Sequence, residues 1–171
     1  MGNQKLNHEL IAIDPRNRRL TFSNGLIADY DALVSSVALP DVIAMIEGAP
    51  PDVVAASKRL ACSTCVLVNV GVNREDLSNA HMTYFYDDDY CFTRLCFPHM
   101  LSKQNAPPGM GSIQAEVYFS EKYKPLTGSP EDWIEPVIRD LRRCGIVRDE
   151  DRIMSRTAMR LRYANVIFDL E

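Results

Sequence analysis

Thr64-Cys65-Val66-Leu67-Val68-Asn69-Val70-Gly71-Val72 is the stretch on which the fold turns. Thr64, Val66, Val68, Val70 and Val72 recur at period two, and all are β-branched. Successive side chains of a strand point to opposite faces, so the alternation predicts a strand with one buried face. Branching at Cβ favours the same conformation. Downstream, Ile113, Ala115, Val117 and Phe119 repeat the pattern and predict a second long strand. Between the two, residues 82–86 and 90–97 read as shorter strands joined across Asp87-Asp88-Asp89.

Outward from this centre the chain alternates helices and short strands. Pro40 opens a helical pattern with Val42, Ile43 and Ile46 on one face and Gly48 at its close. Pro50-Pro51-Asp52 starts a second helix over 53–60. Asp132-Trp133-Ile134-Glu135 has the form of a capping box for a helix reaching Arg143, with Gly145 as its stop. Ser129-Pro130 is an alternative start, but it would leave Pro136 inside the helix, at about 3 kcal/mol. Residues 98–111 form a Pro/Gly-rich loop long enough to suggest function. Residues 152–157 and 163–168 are the last extended segments.

Toward the N-terminus, 8–13 and 19–23 read as strands. Asn24-Gly25 reads as a two-residue turn, since both residues tolerate positive φ. Residues 26–28 and then 32–37 give a third strand, with Leu33, Val34 and Val37 expected inside. The fold class is α+β: a small antiparallel β-meander over 1–38, then a larger domain over 39–169. In that domain a mainly antiparallel sheet is flanked by three to four helices.

Bulk properties exclude several functions. The 171 residues are 46% hydrophobic and 25% charged, an ordinary globular balance. A net charge of −4 argues against nonspecific nucleic-acid binding, which needs a basic face. No apolar run approaches the roughly 20 residues of a membrane span. No secretion signal opens the sequence. Five cysteines, an odd number, fit a cytoplasmic protein better than a secreted disulfide scaffold. Leu170-Glu171 reads as an expression-vector remnant.

Few residues form patterns with chemical meaning. Cys62-Ser63-Thr64-Cys65 has the spacing of a redox pair or of half a metal site. Cys91, Cys96, His81 and His99 are too loosely spaced to complete a zinc site, and the alternative is buried small apolar residues. No metal site is therefore assigned. Asp87-Asp88-Asp89 reads as a solvated hairpin tip rather than a cation loop. Gly109-Met110-Gly111 lacks a third glycine and leads into a strand, so it is no dinucleotide fingerprint. The sharpest cluster is His81, Tyr84, Tyr86, Tyr90 and Arg94 on one hairpin. Phenols and a guanidinium suit an anionic group in an otherwise apolar pocket. Ordinary cross-strand aromatic pairs beside an exposed Arg are the competing reading.

Three stretches carry a family resemblance. The first is Leu20-Thr21-Phe22-Ser23-Asn24-Gly25 followed by Tyr30-Asp31-Ala32-Leu33-Val34-Ser35-Ser36-Val37-Ala38-Leu39-Pro40. The second is His81-Met82-Thr83-Tyr84-Phe85-Tyr86, then Phe92-Thr93-Arg94-Leu95. The third is Ala106-Pro107-Pro108-Gly109-Met110-Gly111-Ser112-Ile113-Gln114-Ala115-Glu116-Val117. Their order resembles the middle of FAD-dependent amine-oxidoreductase-type proteins, in particular UDP-galactopyranose mutase-like and protoporphyrinogen-oxidase-like members. Ser36 and Ala38 depart from the Thr and Pro usual in that family. The resemblance implies a larger flavoenzyme with FAD in the parent protein and none in this chain alone. Only 29 residues precede Tyr30 here, and they hold no glycine-rich phosphate loop. It further implies that Ser36 lies near the flavin and that Tyr84, Tyr86 and Arg94 face the substrate; the hairpin cluster adds His81 and Tyr90 as candidate substrate-binding residues.

The expectation is thus a substrate-binding domain or fragment of an FAD-dependent oxidoreductase or mutase, inert alone. A free-standing small-molecule binding module of the same fold is the alternative. Expected partners are a small-molecule substrate and the parent's flavin domain. Apolar surface left on the meander around Leu26, Leu33 and Val37 points to a homodimer or another close contact through that surface.

Overall fold

The computed structural model describes residues 4–169, in two compact units divided between Leu60 and Ala61. Leu170-Glu171 lies outside the described residues.

The first unit holds β1 (Leu10–Asp14), β2 (Arg19–Phe22) and β3 (Ile27–Asp29), an antiparallel meander in the order β1-β2-β3. The chain does turn at Asn24-Gly25, but only Gly25 takes positive φ, at +82°, and the Phe22 N–H donates to the Leu26 carbonyl, so three residues, 23–25, make the loop instead of two; Asn24 Oδ1 accepts the Leu26 N–H. Helices α1 (Leu39–Met45) and α2 (Pro51–Ser57) follow, each with proline in its first turn, where a missing N–H costs nothing. Between them Gly48 takes φ +70°.

The third strand is shorter than its apolar pattern predicts. It stops at Asp29, and residues 32–37 are irregular chain. Leu33, Val34 and Val37 are exposed rather than buried, Val34 at 96%. The run has the composition of a strand but is paired with none, and β-propensity is expressed only against a neighbour.

The second unit contains β4 (Ala61–Cys62), β5 (Thr64–Val72), β6 (Met82–Tyr84), β7 (Arg94–Cys96), α3 (Pro98–Leu101), β8 (Gly111–Phe119), α4 (Ile134–Arg143), β9 (Ile153–Leu161) and β10 (Val166–Ile167). A five-stranded antiparallel sheet runs β6-β7-β8-β5-β9, and β10 pairs with β4. Among the described residues the architecture is α+β, with three antiparallel sheets and four α-helices. The strand expected over 90–97 is confined to its last part, and the 98–111 loop includes α3 and a 3-10 turn over Lys103–Asn105.

Strand β5 lies between β8 and β9, and its even residues bury as the period-two pattern requires. Val66, Val68, Val70 and Val72 meet Ile113, Ala115 and Val117 of β8 and Val137, Ile138 and Leu141 of α4 in one core. Spacings of three and four along α4 bring those residues to one stripe. Burial of a side chain of this size removes about 1.5–3 kcal/mol of hydration cost.

The cap of α4 differs from the sequence reading. Ser129, not Asp132, forms the capping box: Asp132 is its third position, and the Ser129 N–H donates to Asp132 Oδ2 at 2.8 Å. A 3-10 turn, Pro130–Trp133, leads directly into α4. Pro136 is consequently the third residue of α4, still within the turn whose N–H groups lack helical partners, so the helix accommodates it.

Candidate functional site

Alternation in the five-stranded sheet sends its odd-numbered β5 residues away from α4. The register then assembles a second face from every strand. Tyr84 stands opposite Arg94, Arg94 opposite Glu116, and Cys96 opposite Gln114. Tyr118 stands opposite Cys65, and Gln114 opposite Asn69. Leu161, Met159, Thr157 and Ser155 of β9 complete the row. Met82, Tyr84, Met159 and Leu161 on this face are exposed.

At its centre is a connected polar network. Arg94 Nη2 donates to Glu116 Oε1 at 2.6 Å, and Arg94 Nη1 donates to Tyr84 Oη at 3.1 Å. Tyr118 Oη donates to Glu116 Oε2 at 2.5 Å. Because Tyr84 accepts from Arg94, its own phenolic hydrogen is free to point at a ligand. The hydrogen bonds to Glu116 and then to Tyr84 hold the guanidinium firmly charged. Burial, and then the bond to Glu116, push the Tyr118 phenol up to about 12, so it stays a donor at neutral pH. Arg94 keeps 28% of its side chain exposed, and a ligand can reach its outer edge.

The hairpin residues separate into two groups. Tyr84 and Tyr86 stack, with ring centroids 6.3 Å apart and planes 13° apart, on the side of Arg94. Tyr90 joins the other side: it packs on Phe85 and Phe92, and the Arg143 guanidinium lies 4.3 Å from its ring centre. Residues 90–93 are not strand, so alternation cannot be counted back from Arg94 to Tyr90. His81 is exposed just before β6, and its carbonyl accepts the Phe97 N–H at 3.0 Å. Ser36 is exposed in the irregular stretch 32–37. Sequence reasoning missed Glu116 and Tyr118 as site residues. The signal was present, since both alternate with the buried residues of β8.

A pocket of about 380 Å³ opens at the other end of the same face. Asn69, Gly71, Ser112, Ser155 and Thr157 line it from the sheet, and Pro98 and Asn105 from the segment after β7. A Cβ at Gly71 would stand 2.5 Å from Ser155 Oγ, so a larger residue there would turn the Ser155 hydroxyl aside. The lining side chains are uncharged.

Other candidates lose their chemistry in the structure. Neither Cys62 nor Cys65 forms a disulfide. Burial, and then Glu116, push Cys65 up to about 12, far from the reactive thiolate that redox exchange needs. Among the described residues no group of three His, Cys, Asp or Glu could hold a metal ion. Nor is any described helix long and apolar enough to cross a membrane. Gly111 serves packing: a Cβ there would stand 2.5 Å from the Arg74 carbonyl oxygen.

No protein-family model and no curated protein sequence matches the chain. Solved structures do. A reduced UDP-galactopyranose mutase superposes with a TM-score of 0.77 at 27% identity, over 91% of this chain and 34% of that one. The PF1083 protein from Pyrococcus furiosus gives 0.66 at 15% identity, over 89% of this chain and 36% of that one. A putative protoporphyrinogen oxidase from Exiguobacterium sp. 255-15 gives 0.62 at 15%, over 96% and 36%. The resemblance drawn from the three sequence stretches therefore holds in three dimensions. The chain spans about a third of the length of these proteins.

The described residues do not fit the diphosphate of FAD. Such a group needs a glycine-rich turn running from a strand into a helix N-terminus. No described helix begins that way, and the one Gly-x-Gly leads into β8.

Proposed function

We propose that this chain is the substrate-binding portion of an FAD-dependent oxidoreductase or mutase, and that the face bearing Arg94 is where the substrate lies. The observation that carries this reading is the Arg94–Tyr84 pair. It is held in place by a buried carboxylate, partly exposed, and set on an otherwise open sheet face. Arg94 supplies charge-assisted donors and Tyr84 a phenolic hydrogen, a combination suited to an anionic oxygen on the substrate. Tyr86 stiffens Tyr84 by stacking. Met82, Met159 and Leu161 give apolar contact around this polar centre. The likeness to a UDP-galactopyranose mutase supports an assignment among flavin-linked enzymes, with substrate identity left open by the fold.

In this reading FAD belongs to the parent protein and supplies the redox chemistry, while these residues bind and orient. Ser36 would lie against the flavin there. Leu33, Val34, Val37 and Leu39 would be covered by the flavin domain, or by a second copy where that domain is lacking. Taken alone, the chain holds no flavin and has no activity.

Sedimentation of the purified chain, followed in the visible and the ultraviolet, tests both points. The expected result is no flavin absorbance moving with the protein and a mass that rises toward a dimer with concentration. A stoichiometric flavin band would overturn the fragment reading. A monomer at all concentrations would remove the role given to the exposed apolar loop.

A further inference from the structure

Glu116 is the one carboxylate at the centre of the open face, and it is almost wholly buried, at 5% exposure. One oxygen takes Arg94 and the other takes Tyr118. Its carbonyl also accepts the Thr93 N–H at 3.0 Å, so β7 and β8 are tied at this point through main chain and side chain together. A ligand on the outer edge of Arg94 would not touch Glu116. It would still feel it, because the carboxylate lies only one hydrogen bond behind the guanidinium. In a partly desolvated setting, charges separated by so little more distance act on the ligand with comparable strength and opposite sign.

We infer that Glu116 is a positioning residue that sets how tightly this face holds an anion: it fixes the Arg94 guanidinium in place and at the same time weakens its pull. The inference rests on the reading of this face as the substrate-binding surface. A purely structural Glu116 would have one effect when altered, a looser Arg94 and weaker binding. A residue that also offsets the charge has the contrary effect when only its charge is removed. Gln keeps an acceptor for Arg94 and nearly the same shape, so it isolates the charge.

The test is calorimetric titration of the full chain with inorganic pyrophosphate, for the wild type, Glu116→Gln, Glu116→Asp, Arg94→Gln and the Arg94→Gln/Glu116→Gln double variant. Glu116→Gln is expected to bind about tenfold more tightly than the wild type, from the relief of a like charge nearby. The gain is expected to vanish in the double variant. Glu116→Asp keeps the charge but draws the carboxylate back from Arg94, so it should bind no more tightly than the wild type. This arm decides the matter should the Gln variant not fold. Pyrophosphate binding that depends on Arg94 but weakens or holds level in Glu116→Gln overturns the inference alone, as does tighter binding by Glu116→Asp than by the wild type. Binding indifferent to Arg94→Gln, or none by any of the proteins, overturns the reading of the face as well.

Discussion

Replacing Asp151 by alanine is expected to destabilise the unit over 61–169 by about 3 kcal/mol, at the low end of what breaking a buried ion pair costs. Asp151 is 4% exposed in its side chain and Arg74 15%. The carboxylate accepts Arg74 Nε at 3.0 Å and Nη2 at 2.9 Å, a paired geometry, and also the Arg148 N–H at 2.8 Å. Alanine would leave a largely buried guanidinium and a main-chain donor without their acceptor. The low end applies because Asp76 and the Ile146 carbonyl still hold Arg74.

The same pair predicts an acid dependence. Arg74 holds the Asp151 carboxyl down to about 2, against an ordinary 3.8. A depressed carboxyl adds stability that is fully present above the ordinary value and is lost as pH falls toward the lowered one. The wild type should therefore lose more stability than the variant between about pH 4 and pH 2. Urea unfolding at a series of pH values measures both effects. Equal acid sensitivity of the two proteins would show that the pair is not the source.

Phe97→Ala is expected to cost about 3–5 kcal/mol, the range for deleting a buried aromatic ring. Phe97 has no exposed surface and belongs to the core under the sheet. It is also the hinge between β7 and α3: its N–H is fixed to the His81 carbonyl, and its ring meets His99 at 6.5 Å. Pro98 and Asn105, which border the pocket on the open face, follow directly. The variant should lower the urea midpoint, and a loss under about 1 kcal/mol would mean that the site collapses without a cavity.

Much of this architecture was legible because it rests on simple periodicity. The alternation in β5 and β8 gave both the strands and the side that would bury, since each has a partner along its whole length. The place of the turn at Asn24-Gly25 was equally plain, although its loop has three residues and only Gly25 takes positive φ. What failed depended on neighbours. Residues 32–37 carry apolar residues but meet no strand, so a composition suited to a sheet ends as exposed chain. The cap of α4 was misplaced because a 3-10 turn shifts the start and makes Pro136 acceptable.

For the site, the sequence placed Tyr84, Tyr86 and Arg94 on one hairpin, and the structure draws these three together. Tyr90 goes elsewhere because the strand is interrupted before it. Alternation along β8 puts Glu116 on the open face, but its distance in sequence hides which residue it meets. Only the pairing of β7 with β8 sets it opposite Arg94.

The central claim is that the face built by Tyr84, Arg94, Glu116 and Tyr118 receives the substrate. The most direct test is to add inorganic pyrophosphate to the isotope-labelled chain and follow its amide signals by NMR. The account predicts saturable shifts centred on Tyr84, Arg94 and their neighbours in β6, β7 and β8. Shifts centred instead on Tyr90 and Arg143 across the sheet, or none at all, would contradict it.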